Sequence, residues 1–207
     1  ELTIRMAGAM AGVSTHKLRN NQTGPGEVER FAEANCSLRE LPIWIDDASG
    51  PTTAGMLAQL SNLMETIPVR LMLFDFVELG GDLAQKEDIR VSIILRNLKG
   101  IAKTLKIPVI GLSQLSRDVE ARGTKMPVLS DLRYSGMAEQ IADKVVFIMR
   151  PEYYVERADK IDVPEEDKKG IAYVMIAKTR NGPVGLVKMA FISERMKFGD
   201  LAQEVKR

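Results

Sequence analysis

The residues best placed to do chemistry sit in four short polar clusters, each at the end of an apolar run or just ahead of one. Leu71-Met72-Leu73-Phe74 runs directly into Asp75. A carboxylate at the end of a buried strand can hold a magnesium ion, usually through water, beside a nucleotide phosphate. It can equally cap the following loop, because an apolar run ending in Asp is a common pattern. Pro108-Val109-Ile110-Gly111-Leu112 leads in the same way into Ser113 and Gln114. A neutral amide there can sense a terminal phosphate or orient an attacking water without adding charge; it can also simply cap its loop. Ser130-Asp131-Leu132-Arg133-Tyr134-Ser135-Gly136 is a dense polar loop. Arg133 can contact a phosphate, Gly136 permits close backbone approach and Tyr134 can stack on a base. Composition alone favours a helix start there, with Ser135 as N-cap and Arg133 in a surface ion pair. Lys178-Thr179-Arg180-Asn181-Gly182-Pro183 places two cations beside a tight turn. A rigid hairpin can project an arginine finger into a neighbouring subunit's phosphate site, although basic hairpins are also ordinary on edge strands.

The elements that must carry these clusters follow from apolar spacing. Leu2, Met6, Ala9 and Val13 predict an amphipathic helix over residues 1 to 12. Val28, Phe31 and Leu38 predict a second helix after Gly24-Pro25-Gly26. A third runs through Leu57, Leu60, Met64 and Ile67, and the longest lies between Gln85 and Lys106. Between them, Leu41–Ile45, Leu71–Val77, Pro108–Leu112 and Val145–Met149 read as short strands of a parallel sheet buried on both faces. Ligands of such sheets sit at the C-terminal strand edge, which would bring Asp75, Ser113 and Gln114 together. Past Pro151, Ile171–Ala177, Val184–Phe191 and Arg195–Phe198 read as an antiparallel extension of the same sheet, with Asn181-Gly182-Pro183 as a hairpin turn. The fold expected is an α/β single domain.

Composition excludes several classes. The 207 residues carry 29 Lys+Arg against 28 Asp+Glu, a net charge of +1, so a histone-like coat is ruled out, but not a few local nucleic-acid loops. With 45% hydrophobic and 28% charged residues, the chain is neither disordered nor a membrane protein, and no apolar run approaches a membrane span. Cys36 is the sole cysteine and His16 the sole histidine, which excludes an intramolecular disulfide and a cysteine-based zinc site and points to a reducing, cytoplasmic setting. The methionines read as core filler, Trp44 as part of a buried strand, Asp46-Asp47 as a loop cap, His16 as a surface residue and Glu152–Lys169 as a solvated loop or loose helix. No Gly-x-x-x-x-Gly-Lys-Ser/Thr occurs, and the Gly8/Gly12 pair lies in a helical pattern with no lysine after it. A first residue of Glu1 rather than Met suggests a fragment.

Taken in order, these blocks resemble the C-terminal ATPase domain of the DnaB-type replicative helicases, a RecA-like fold. The resemblance rests on Leu41-Pro42-Ile43-Trp44-Ile45-Asp46-Asp47-Ala48-Ser49-Gly50 and on Leu73-Phe74-Asp75-Phe76-Val77-Glu78-Leu79. It continues through Leu98-Lys99 with Ala102-Lys103, then Val109 to Arg117, then Ser130-Asp131-Leu132-Arg133 with Ser135-Gly136, and ends on Lys178 to Gly185. Each block is weak alone; the ordered set, covering nearly the whole chain, is specific. It implies a three-layer domain with a mainly parallel central sheet and a C-terminal antiparallel extension. It implies that Asp75 is the Walker B carboxylate holding Mg2+ and that Gln114 couples the γ-phosphate of ATP to DNA-binding loops. Arg180, with Lys178 beside it, would act as arginine finger on the adjacent subunit's nucleotide. Arg133 and Gly136 would grip single-stranded DNA in the pore of a homo-hexamer, with Tyr134 between them altering that contact or stacking on a base. Tyr134 stands where the family usually has an acidic residue, and Val77-Glu78 where it usually has Leu-Gln. The family's phosphate loop and catalytic glutamate lie upstream of the segment matching Leu2–Met10, as do the segments that contact primase and loader. The expectation is therefore an N-terminally truncated ATPase domain, inactive alone. A RecA/RadA-type recombination ATPase and a non-catalytic DNA-binding module are the alternatives; the recombinases lack the Ser-Asp-Leu-Arg and Arg-Asn-Gly-Pro blocks in this order.

Overall fold

The structure is a computed structural model, and it describes residues 1–133 and 135–201, with the Ser135 side chain excepted. The helices are α1 (Leu2–Ala11), α2 (Thr15–Arg19), α3 (Pro25–Glu40), α4 (Thr53–Thr66), α5 (Glu87–Leu105), α6 (Ser135–Ile141) and α7 (Pro151–Glu156). The strands are β1 (Met72–Phe74), β2 (Val109–Gly111), β3 (Lys144–Met149), β4 (Ile171–Thr179), β5 (Gly185–Ile192) and β6 (Lys197–Gly199). β1 and β2 pair in parallel, with Phe74 opposite Gly111. β3, β4, β5 and β6 form a four-stranded sheet in that order, and its β5–β6 pair is antiparallel. The α/β class therefore holds, with a parallel sheet and a sheet carrying antiparallel strands; the C-terminal strands pair with β3 rather than with β1 or β2.

The chain divides into two compact units. The first comprises residues 1–46, 148–174 and 187–207. In it α1 packs on α3 through the buried Ala7, Gly8, Ala34 and Leu38. Gly8 fits closely against the segment that follows α1: a Cβ there would lie 3.1 Å from Thr15 Cγ2 and 3.2 Å from the Val13 carbonyl oxygen. Gly12 caps α1 in the left-handed region, φ 65°. The glycine pair thus has a structural use, in line with its reading as part of a helix. Asp167, buried within the stretch expected to be solvated, accepts from Tyr173 Oη and from Lys188 Nζ (2.5 Å). Burial opposes ionisation of Asp167, but these two donors outweigh it and hold its pKa below the usual carboxylate value. The Tyr173 hydroxyl is pushed up by burial and by the same carboxylate.

The second unit comprises residues 47–147 and 175–186. Its core is Met56, Phe74, Val77, Val91, Ile94, Leu98 and Ile101, which bring α4, β1 and α5 together. α5 opens with Glu87 and Asp88 and closes at Lys106 in the left-handed region. Its buried residues recur at 91, 94, 98 and 101, the helical stripe expected from sequence. α4 starts at the N-cap Thr52, whose side chain accepts from the Gly55 N–H at 3.2 Å. Asp82 completes that end by accepting from the Thr53 N–H at 2.9 Å and the Thr53 hydroxyl at 2.5 Å.

Three expectations fail. The short strands are not one parallel sheet buried on both faces: Leu73, Ile110, Val146 and Ile148 are exposed, and β3 lies in a different sheet from β1 and β2. Leu41–Ile45 is not a strand, and Trp44 is 51% exposed rather than buried. No described strand pairs with that run, and an apolar run becomes a strand only where a neighbour offers a ladder. The methionines are only partly core: Met56 and Met149 are buried, whereas Met10 and Met196 are among the exposed apolar residues.

Candidate functional site

All described candidate residues lie in the second unit. The parallel register places Asp75, one residue past Phe74, beside Leu112, so Asp75, Ser113 and Gln114 leave the sheet at one C-terminal edge. Backbone bonds extend the pairing past the strands: Leu112 N–H donates to Phe74 O at 2.9 Å and Val77 N–H to Leu112 O at 2.8 Å. Asp75 and Gln114 are both exposed, as a ligand-facing pair must be. The Asp75–Phe76 peptide is cis.

Gln114 also touches the polar loop. Its carbonyl accepts from the Arg133 N–H at 3.5 Å, and Leu115 and Leu132 form an antiparallel bridge. Arg133 and Gly136 are exposed, while Tyr134 lies outside the described residues, as does the expected N-cap contact of the Ser135 side chain. Asp131, almost fully buried, anchors this loop from below. Its carboxylate accepts from both terminal nitrogens of Arg122 at 2.5 Å and from the Val128 N–H at 2.7 Å. Its carbonyl accepts from the Ser116 N–H at 2.7 Å. The Arg122 hydrogen bonds hold the Asp131 pKa below its ordinary value against the opposing effect of burial.

Lys178 and Arg180, at the end of β4 and just past it, meet the C-terminal end of α6. Lys178 Nζ donates to the carbonyls of Glu139 and Ala142, the latter at 2.8 Å. Arg180 donates to the Gln140 carbonyl at 3.0 Å and pairs with Asp143 at 3.3 Å. Cations at a helix C-terminus satisfy its open carbonyls and its negative dipole end. Asp143 also takes Lys99, and that hydrogen bond, followed by Arg180 and Lys178, holds its carboxyl low. α6 thus has Arg133 just ahead of it and Gly136 in its first turn, with the Lys178/Arg180 pair at its C-terminal end.

Sequence reading picked out Asp75, Gln114, Arg133, Gly136, Lys178 and Arg180 but overlooked the residues that hold them. Glu78 drew attention only as an unusual residue. Yet it is buried, and its Oε1 accepts from Ser113 Oγ at 2.6 Å and from the Gln114 N–H at 3.2 Å. Asp131 lay in plain view inside the Ser-Asp-Leu-Arg block, but its partner Arg122, nine residues earlier, carries no local signal. Among the described residues no group of three or more His, Cys, Asp or Glu could enclose a metal. A lone carboxylate such as Asp75 suits magnesium held mainly by phosphate oxygens and water.

Known proteins resemble this chain in sequence and in fold. The model of the DnaB-like helicase C terminal domain matches residues 1–200. Replicative DNA helicase DnaC of Bacillus subtilis (strain 168) is 39% identical over 204 residues, 97% of this chain and 43% of that protein. Replicative DNA helicase DnaB of Geobacillus stearothermophilus is 36% identical over the same share of each chain. Among solved structures, a DnaB-like replicative helicase described with its interactions with primase superposes with a TM-score of 0.85 at 31% identity. That likeness covers 96% of this chain and 47% of the other. A solved ATPase domain matches with the same TM-score and identity, over 96% of this chain and 69% of its own length. The chain spans less than half the length of the curated relatives it matches. With a family model covering nearly its whole length, this chain belongs to the DnaB-like helicase C-terminal domain family.

Proposed function

We propose that this chain is the greater part of the RecA-like ATPase domain of a hexameric replicative helicase, which translocates on single-stranded DNA and unwinds duplex at the fork. The observation that carries the reading is the double attachment of Gln114. It emerges beside Asp75 at the strand edge, and its carbonyl takes the N–H of Arg133 in the polar loop. One residue therefore joins the edge that suits a phosphate to the loop that suits a nucleic-acid backbone.

In this reading Asp75 holds the Mg2+ that accompanies ATP, and that ion neutralises charge on the transferring phosphate. Gln114 faces the terminal phosphate as an uncharged hydrogen-bonding group. Arg180, assisted by Lys178, acts on the nucleotide of the adjacent subunit as its finger and must first leave the α6 carbonyls it holds here. Arg133, Tyr134 and Gly136 grip the DNA backbone; six copies around a pore concentrate positive charge that a net charge of +1 does not report. The phosphate cradle, and the segments that contact primase and loader, belong to parts of such a protein outside these 207 residues. Alone, the chain does not bind ATP productively. The replicative-helicase reading implies a cytoplasmic setting. Among the described residues no helix is long and apolar enough to cross a membrane.

The test uses the full-length protein. ATP hydrolysis should be stimulated by single-stranded DNA, and a forked duplex should be unwound. Arg180→Ala should retain nucleotide binding and lose hydrolysis by about 10³-fold, as expected for a finger acting on transition-state charge. Wild-type-like turnover in Arg180→Ala would remove Arg180 from the site. Strong DNA binding by the protein without any ATPase would favour the non-catalytic alternative.

A further inference from the structure

Glu78 is a buried carboxylate one short turn beyond Asp75, in the 3-10 turn Val77–Leu79. Three elements converge on it. Its own backbone is held from α5, where Arg90 Nη2 donates to the Glu78 carbonyl at 3.1 Å. Its side chain reaches across to the loop after β2, accepting from Ser113 Oγ at 2.6 Å and from Gln114 N–H at 3.2 Å. The neighbouring Val77 lies against Gly111, where a Cβ would come within 3.0 Å of Val77 Cγ2. The two strand-end loops are thus held together by one side chain and by close backbone packing beside it.

The chemistry of the contact matters. The Ser113 hydroxyl and the Gln114 N–H both donate to the same Glu78 oxygen. That fixes the Ser113 hydroxyl and the direction of the Gln114 N–H, and leaves the exposed Gln114 side chain facing out from a pinned backbone. The second oxygen, Oε2, is also buried and has no hydrogen-bond partner among the described residues, nor has Arg90 Nε. An unpaired buried acceptor is costly, so packing alone does not account for a carboxylate here.

We infer that Glu78 is a positioning residue for Gln114: it fixes the loop after β2 relative to Asp75, so that the amide reaches the terminal phosphate and moves together with the Arg133 loop. The inference rests on the proposed helicase reading. Gln114 is the residue displaced when Glu78 is lost, and Gln114 is bonded onward to Arg133. A misplacement of about 1 Å at a reacting centre is enough to cost on the order of 10²-fold in rate. Gln at position 78, the residue usual in the family, presents the same acceptor oxygen to both donors and should conserve the clamp.

The experiment measures two things on the full-length protein: hydrogen exchange at the Gln114 amide, and steady-state ATPase with and without single-stranded DNA. In Glu78→Ala the Gln114 amide should lose protection. The kcat should fall by at least about 10-fold with KM for ATP within about 2-fold, because in this reading most of the binding energy for ATP comes from the phosphate cradle and the metal rather than from the Gln114 amide, and stimulation by DNA should be lost with it. Glu78→Gln should restore protection and return kcat to within about 3-fold of wild type. If Glu78→Ala fails to fold, Ser113→Ala removes the 2.6 Å bond and leaves the carboxylate in place; it should lower DNA stimulation in the same direction. Loss of Gln114 protection with unchanged kcat and stimulation would overturn the positioning role, as would a Glu78→Gln protein as slow as Glu78→Ala. A wild-type protein without DNA-stimulated ATPase would instead overturn the helicase reading, and this inference with it, whatever the exchange data.

Discussion

Asp131 ties its ionisation to the loop it serves. Its carboxylate sits almost fully buried against Arg122 and the Val128 N–H. Its pKa is held low in the folded state by the Arg122 hydrogen bonds. A carboxylate depressed on folding contributes stability that is fully present above the unfolded pKa of about 4 and is lost as pH falls through the folded value. Acidification below pH ~4 should therefore loosen the Ser116–Arg133 segment. In a urea titration at neutral pH, Asp131→Ala should lower unfolding free energy by about 1–2 kcal/mol, because it removes charge-assisted hydrogen bonds but leaves the partly exposed Arg122 in contact with water. Asp131→Asn should flatten the acid limb of the stability curve; an unchanged limb would show that this pair does not govern it. Asp167 titrates in the same sense in the first unit, so the difference between wild type and Asp131→Asn isolates the loop.

The helices place this chemistry by their ends. α4 is capped by a residue 29 positions away, Asp82, which follows Gly80-Gly81. A Cβ on Gly81 would fall 2.1 Å from the Gly50 carbonyl oxygen, so the backbone approach that delivers Asp82 needs glycine there. Asp82→Ala should cost about 1–2 kcal/mol by opening the first turn of α4, measured as a shift in denaturant midpoint at unchanged slope. A neutral effect would mean that Asn97, which donates to Thr53 Oγ1 at 2.8 Å, holds the end alone. These elements were legible from spacing: α1, α3, α4, α5 and the strands β1 to β6 all overlap the runs that apolar periodicity marks. Leu41–Ile45 was misread because a run of apolar residues reports burial preference and says nothing of whether a pairing strand stands beside it.

For the whole protein, the proposed division of labour puts Asp75 in one subunit's site and Arg180 in its neighbour's. That makes a mixing experiment decisive. Asp75→Ala and Arg180→Ala proteins should each be inactive in ATP hydrolysis. Co-assembled, they should regain partial activity, since an Asp75→Ala subunit still offers Arg180 to an Arg180→Ala neighbour whose Asp75 is intact. Mixed assemblies without any recovery would place the finger in its own subunit. The rate should also fall steeply with added salt if a ring of Arg133 loops holds the DNA backbone, because counterion release governs such contacts.

Local sequence determined the identities and order of the functional blocks: an apolar run before Asp75, another before Ser113-Gln114, Arg133 after Asp131, and two cations before a hairpin turn. Periodicity, caps and turn residues act over a few positions, so they can be read without coordinates. The clamps could not. Glu78 with Ser113, Arg122 with Asp131 and Lys178 with the end of α6 join residues 35, 9 and 39 positions apart. Which donor a buried carboxylate or a helix C-terminus finds is decided by packing that brings distant segments together, and only the folded chain supplies it.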